Sequence, residues 1–337
     1  MKIKWFIFFL SIMTISFIFY SFIEKKADPP IKIGVLLIGE NRYEKLAGLK
    51  KGLADIGYKD KELTYIVKNA NEQQDKLEVM ITSLLNKQPH VIVTLGGIET
   101  VQLKEKLEKE NLYIPVVFAG VAAPKELGLI NDYRSPGGQY TGINNYHTSI
   151  SGKRLELFKE LIPSLKRVHL LYDEEIEVSR LSLQETVEAA GKLSLEVIPW
   201  NVADRSYKNK IAENIEENDG LLILPSFRIE ALTEEFIQLI KKYYLPSMAL
   251  YEHEVEKGFL AGHGASFYEQ GYQAARYVSS IVQGNAPKDL PVELPDNIRF
   301  MINKQVSEQL GVTLNHEMLS NAELVRLKEP DKGVKDK

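Results

Sequence analysis

Three groupings in this 337-residue chain bring together side chains able to do chemistry. The first is Gly96-Gly97, which closes an apolar run and opens a helical pattern. A glycine pair there lets a ligand approach the backbone, and the free N–H groups of the following helix favour an anion. The same pair also suits a plain tight turn. The second grouping is Ser226-Phe227-Arg228. A guanidinium at that point can grip a carboxylate bidentately while the ring covers an apolar part. Its competing reading is a surface arginine paired with Glu230 or Glu234. The third is Glu252-His253-Glu254 with His263, residue types that ligate metals. It lacks the i, i+4 helical spacing that puts two ligands on one face, so it reads as a solvated helix start and no metal is expected.

Other chemistries lack their residues. The chain has no cysteine, which removes disulfides, a thiol nucleophile and thiolate metal sites. It has no G-x-x-x-x-G-K-[ST] loop, no G-x-G-x-x-G after a strand and no G-x-S-x-G elbow. An enzyme is therefore not expected, nor a cofactor. A net charge of −4 gives no support to nucleic-acid binding, and no helix-turn-helix precedes the folded part. At 44% hydrophobic and 26% charged the composition is that of a globular protein, long enough for two lobes.

Strands and helices alternating along the chain must position these groups. Strands are predicted at 31–38, 63–67, 90–95 and 114–119, with helices at 43–57, 73–87 and 98–110. The series then repeats. Helices are expected at 149–162, 178–192 (closed by Gly191), 207–217, 231–243 and 267–283. Strands are expected at 167–172, 195–199, 220–224, 246–250, 259–264 and 298–302. The class is α/β: two Rossmann-like lobes, each a parallel sheet flanked by helices, with a boundary in the turn-rich stretch 136–145 and a cleft between them.

In open α/β sheets ligands sit outside the carboxyl ends of the strands. That rule gives the candidate ligand-binding set: Glu40 and Arg42 after the first strand, Gly96 and Gly97 after the third, and Gly120 and Val121 after the fourth. Asn144 and Asn145 join it at the boundary, with Tyr172, Ser226, Phe227, Arg228, Tyr251 and Glu252 in the second half.

The N-terminus has another character. Trp5 to Ile23 is uncharged and rich in Phe and Ile, with Lys2 and Lys4 before it. As a helix it would cover roughly 28 Å, close to the bilayer core. Its exit, Tyr20-Ser21-Phe22-Ile23, lacks the small residues of a cleavage site, so an uncleaved anchor is favoured over a cleaved signal. The run has no polar face, unlike a core helix. Lys2 and Lys4 place the N-terminus in the cytoplasm, against a counter-vote from Lys25 and Lys26, and the body would be extracytoplasmic. Four lysines and one glutamate fall in residues 1–26, so the remainder is three charges more negative than the whole. The charged, apolar-poor tail 326–337 is expected to be disordered.

Several segments carry a resemblance. They include Ile33-Gly34-Val35-Leu36, Gly48-Leu49-Lys50-Lys51-Gly52-Leu53-Ala54-Asp55-Ile56-Gly57-Tyr58 and Lys68-Asn69-Ala70-Asn71. Ile114-Pro115-Val116-Val117-Phe118, Pro136-Gly137-Gly138-Gln139-Tyr140-Thr141-Gly142 and Leu161-Ile162-Pro163-Ser164-Leu165-Lys166-Arg167-Val168 continue the series. Tyr268-Glu269-Gln270-Gly271-Tyr272-Gln273-Ala274-Ala275, Pro291-Val292-Glu293, Ile302-Asn303-Lys304 and Leu310-Gly311-Val312 complete it. Over residues 31–314 the chain resembles the ABC-transporter substrate-binding family typified by tryptophan- and tyrosine-binding proteins. The resemblance implies a type I periplasmic-binding-protein fold whose lobes, joined by three crossings, close on a small ligand. Lobe 1 would span 31–144 with a returning segment at 265–292, and lobe 2 would span 145–264 with one at 293–320. It also implies a monomer that partners the transmembrane permease of an ABC importer. The alternative is a membrane-anchored sensing module that reports ligand to a signalling partner.

Departures from the family pattern bear on the ligand. Ala122-Ala123-Pro124 stands where a Thr-Asp-Pro-like turn is common, and Pro225-Ser226-Phe227-Arg228 replaces a Pro-Thr-Asp-Asn-like run. Leu250-Tyr251-Glu252 replaces a Ser-Asp-Glu-like turn. An acid facing an amino group is lost and a cation gained. The expected ligand is therefore a small organic acid or amino-acid-like compound with an apolar or aromatic part. With no cysteine for a lipid anchor, residues 5–23 become the expected tether.

Overall fold

A computed structural model of the chain describes residues 29–328. The expected anchor at 5–23 and the tail residues 329–337 lie outside the described residues. From residue 31 onward, apolar runs form strands buried on both faces, as parallel sheets require. In β1 (Ile31–Leu37), Ile33, Val35, Leu36 and Leu37 are all fully buried.

The first sheet contains β1, β2 (Leu63–Asn69), β3 (Val91–Thr94), β4 (Val116–Val121) and β5 (Tyr140–Asn144), in the order β2-β1-β3-β4-β5. All its pairings are parallel. The connecting helices are α1 (Tyr43–Ile56), α2 (Leu77–Leu85) and α3 (Gly97–Lys109). Within the turn-rich stretch 136–145 lies a strand that was not expected, β5.

The second lobe follows through α4 (Ser151–Leu161), β6 (Arg167–Tyr172), α5 (Glu177–Leu193), β7 (Glu196–Asn201), α6 (Tyr207–Asn214) and β8 (Asp219–Ile223). It continues with α7 (Phe227–Ala231), α8 (Thr233–Tyr243), β9 (Ser247–Ala249), α9 (Glu252–Lys257) and β10 (Ala261–Gly264). After α10 (Phe267–Val282) come β11 (Arg299–Asn303), α11 (Lys304–Leu310), α12 (His316–Asn321) and β12 (Glu323–Val325). The second sheet runs β12-β11-β10-β9-β8-β6-β7.

Several expectations need correction here. The second sheet is not wholly parallel, because β11 returns antiparallel to β10. The helix expected at 231–243 is α8, starting two residues later at Thr233, and a separate short helix, α7, precedes it across Leu232 where none was expected. Helix α5 runs past Gly191 and stops at Ser194, whose φ of +53° ends it in a left-handed cap. Residues 326–328 are held against the body, with Leu327 N–H donating to Gln305 and Lys328 pairing with Glu256.

The chain passes between the sheets three times: after β5, before α10 and before β11. Helix α10 thus belongs to the first lobe's packing. Its Ala274, Ala275 and Val278 share a core cluster with Ile33, Val35 and Leu49. The contact depends on glycine. A Cβ on Gly48 of α1 would lie 1.9 Å from the Tyr268 carbonyl, and one on Gly271 of α10 would lie 1.8 Å from that of Lys45. The two helices therefore meet backbone to backbone, and side chains at those positions would drive them apart. The third crossing is stitched to β5 and α10: Asn144 N–H donates to Glu293, and Gln273 bonds Leu294 and Asp296.

Candidate functional site

The carboxyl ends of β1, β3 and β4 face those of β8 and β9 across a cavity of about 60 Å³. Of the residues expected from strand ends, Arg42, Gly96, Gly97, Gly120, Asn145, Ser226, Phe227 and Tyr251 line it. The structure places the other six elsewhere. Glu40 is exposed and accepts from Asn69, and Val121 lies in the first lobe's core. Asn144 accepts from Tyr146 N–H at the first crossing, and Tyr172 packs on a second-lobe cluster. Glu252 pairs with Arg299, and Arg228 pairs with Asp173 and Glu175.

Arg42 dominates the first-lobe wall. Its Nη1 donates to both Glu99 oxygens, at 3.0 and 3.2 Å, and to the Leu95 carbonyl at 3.3 Å. The guanidinium packs against the start of α3, where a Cβ on Gly96 would be 1.3 Å from Nη1. The glycine pair at 96–97 therefore has a cause that neither sequence reading offered: Gly96 makes room for an arginine. Burial alone would depress the Arg42 pKa, but Glu230 and Glu99 outweigh it and hold the guanidinium above its usual range.

Lys45 stands in the first turn of α1 and is buried. Its Nζ donates to the carbonyls of Ala119 (2.8 Å) and Gly120 (3.3 Å) and lies 4.7 Å from the centre of the Phe267 ring. Burial, helped by the positive charge of Arg42, pulls its pKa down to about 7. Sequence reasoning missed Lys45 because a lysine on an amphipathic helix reads as solvent-facing. The available signal was its position, three residues past a strand-end arginine.

On the second lobe, Asp173 is fully buried and organises the facing wall. Its Oδ2 accepts from Ser226 Oγ at 2.8 Å, and its Oδ1 accepts from Arg228 Nη1 at 3.0 Å. Ser226 Oγ in turn accepts the Arg228 N–H and so caps α7. Pinned this way, α7 projects Phe227 onto the first lobe's core and Glu230 onto Arg42. Glu230 is a functional-site residue that sequence reasoning named only as a possible surface partner.

Tyr251 forms the floor, its ring 4.7 Å edge-on from His147 and 4.3 Å from Phe267. Burial raises its phenol well above the usual range. Beneath it, buried Arg154 bonds the His263 carbonyl and His147 Nδ1, with burial pulling its pKa down to about 10. The expected solvated helix start at 252–254 is corrected. Glu254 is fully buried, accepts the N–H groups of Leu250 and Tyr251, and is pushed up to about 7 by burial. Among the described residues, no group of three or more His, Asp or Glu side chains converges to hold a metal. The cavity thus offers cations and helix N–H groups on one wall, with a carboxylate and two aromatic rings on the other.

A family model described as ABC transporter substrate binding protein matches residues 30–326. The chain belongs to that family. Family members are extracytoplasmic binding components, not enzymes. The tyrosine-binding protein of Clostridioides difficile (strain R20291) is 24% identical over 291 residues, 86% of this chain and 83% of that protein. A Streptococcus pneumonia ABC domain solved in complex with L-Trp superposes with a TM-score of 0.80 at 22% identity, covering 88% of this chain and 99% of that one. A conserved domain protein of Vibrio cholerae gives 0.79 at 26% identity with the same coverage. The fold is thus of the type I periplasmic-binding-protein kind, as the resemblance implied. Among the described residues no helix is long and apolar enough to cross a membrane.

Proposed function

We propose that this substrate-binding protein takes a small amino-acid-like or organic-acid solute into its interlobe cleft and delivers it to the permease of an ABC importer. Lobe 1 comprises 31–144 with 265–292, and lobe 2 comprises 145–264 with 293–320. Closing one on the other buries the solute. The body is monomeric and extracytoplasmic, tethered through residues 5–23. The composition of that run and the lack of cysteine support the tether.

The observation that carries the ligand class is Arg42, held by Glu99 so that its Nη2 edge faces the second lobe beside the start of α3. A carboxylate meets the Nη2 edge of the guanidinium there, beside the start of α3. Phe227 and Tyr251 supply cover for an apolar or aromatic part. A thermal-shift panel tests this with matched triplets: an L-amino acid, its des-amino acid and its decarboxylated amine. Members bearing a carboxylate are expected to stabilise the protein and the amines are not. Stabilisation by the amines alone would reverse the assignment.

A further inference from the structure

One ion pair joins the two lobes outside the crossings among the described residues, and it lies inside the cleft. Arg42 Nη2 reaches both oxygens of Glu230, at 3.2 and 3.3 Å. The two edges of this guanidinium have separate tasks. Nη1 is committed to the first lobe through Glu99 and Leu95, whereas Nη2 is engaged only by a group from the second lobe. Glu230 arrives there on α7, which Asp173 fixes through Ser226 and Arg228. Both contacts are longer than the about 2.7–2.9 Å of a strong charge-assisted bond. The pair therefore bridges the lobes without making the best contact either group can form.

We propose that Glu230 is an internal competitor for the solute's carboxylate: it occupies the Nη2 edge of Arg42, latches the lobes through the chain's own groups, and must be displaced for an acid to bind. The inference rests on the reading that the cleft takes a carboxylate-bearing solute. It makes Glu230 a determinant of selectivity. An acid that offers no better contact than Glu230 is excluded, and an ammonium group on the solute gives the displaced carboxylate a new partner. The latch then favours zwitterions over simple acids by the free energy of that second contact.

The test compares wild type with Glu230→Gln, which keeps size and removes charge, and with Glu230→Ala as a second variant. L-Tyrosine and 3-(4-hydroxyphenyl)propanoate serve as probes, differing by the ammonium alone. Small-angle scattering without probe is expected to show a larger radius of gyration for both variants. Calorimetry is expected to show the des-amino acid binding at least threefold tighter to Glu230→Gln, with the preference for L-tyrosine over it reduced. Unchanged scattering overturns the proposal, as does des-amino acid binding that stays the same or weakens. Should neither probe bind the wild type, the carboxylate reading fails for these solutes, and the scattering comparison still decides the latch.

Discussion

Arg42 and Lys45 place two cations within one turn of each other in a water-poor cleft, and they are held in different ways. Arg42 keeps its charge because carboxylates from both lobes face it. Replacing it with Lys would retain a charge but lose the fork that serves both lobes at once. Arg42→Lys is expected to weaken carboxylate binding at least tenfold, about 1.4 kcal/mol, read by calorimetry.

Lys45 has only carbonyl oxygens and a ring, so burial depresses it to about 7 while an unfolded chain titrates near 10.5. Between those values the unfolded chain holds the extra proton, so stability rises with pH across that window and is lost as pH falls through about 7. Glu254 has the opposite sign. Raised to about 7 from 4.5, it contributes stability at low pH that disappears as pH climbs from 4.5 to 7. Denaturant titrations across pH 4–10.5 are expected to show Lys45→Met flattening the alkaline limb and Glu254→Gln the acidic one. If both variants keep the wild-type pH profile, these groups titrate normally. Arg42 was legible in the sequence because it follows an apolar strand, whereas Lys45 and Glu254 were not. The groups around Lys45, Phe267 and the β4 carbonyls, come from far along the chain, whereas Glu254 turns inward onto its own helix start, where it accepts the N–H groups of Leu250 and Tyr251.

At the scale of elements, the short helix α7 matters out of proportion to its length. Five residues cannot hold a helix unaided. Asp173 substitutes for the missing turns by binding Ser226 Oγ and the Arg228 guanidinium. Asp173→Ala leaves those donors without their buried acceptor, so it is expected to lower stability by about 1–3 kcal/mol. It should also loosen Phe227 and Glu230 together, which the accessibility of a fluorophore placed at position 227 would report. Stability within about 0.5 kcal/mol of wild type would contradict that role.

The α1–α10 pair is as direct a case. Gly48→Val places branched carbons against the Tyr268 carbonyl and is expected to destabilise by about 1–3 kcal/mol or more, measured by denaturant unfolding. The sequence foretold most strand and helix cores, since apolar periodicity encodes them. It missed β5 because the approach to it is rich in turn residues. It missed α7 because five residues are too few to show an apolar period.

At the scale of the whole molecule, two sheets joined by three crossings turn residues 188 positions apart, Arg42 and Glu230, into neighbours. The pattern of alternating strands and helices made two lobes legible, but which side chains meet between them depends on how the lobes face each other. Strand-end reasoning therefore found many of the lining residues and missed the ion pair that joins them.

The central claim is that Arg42 holds a carboxylate-bearing solute between the lobes. Mass spectrometry of small molecules released on denaturing the purified protein tests it most directly, run beside Arg42→Ala prepared identically. The account predicts one dominant carboxylate-bearing compound near one equivalent per chain, depleted at least tenfold in the variant. Release of a compound without a carboxylate, or equal release from both proteins, would contradict it.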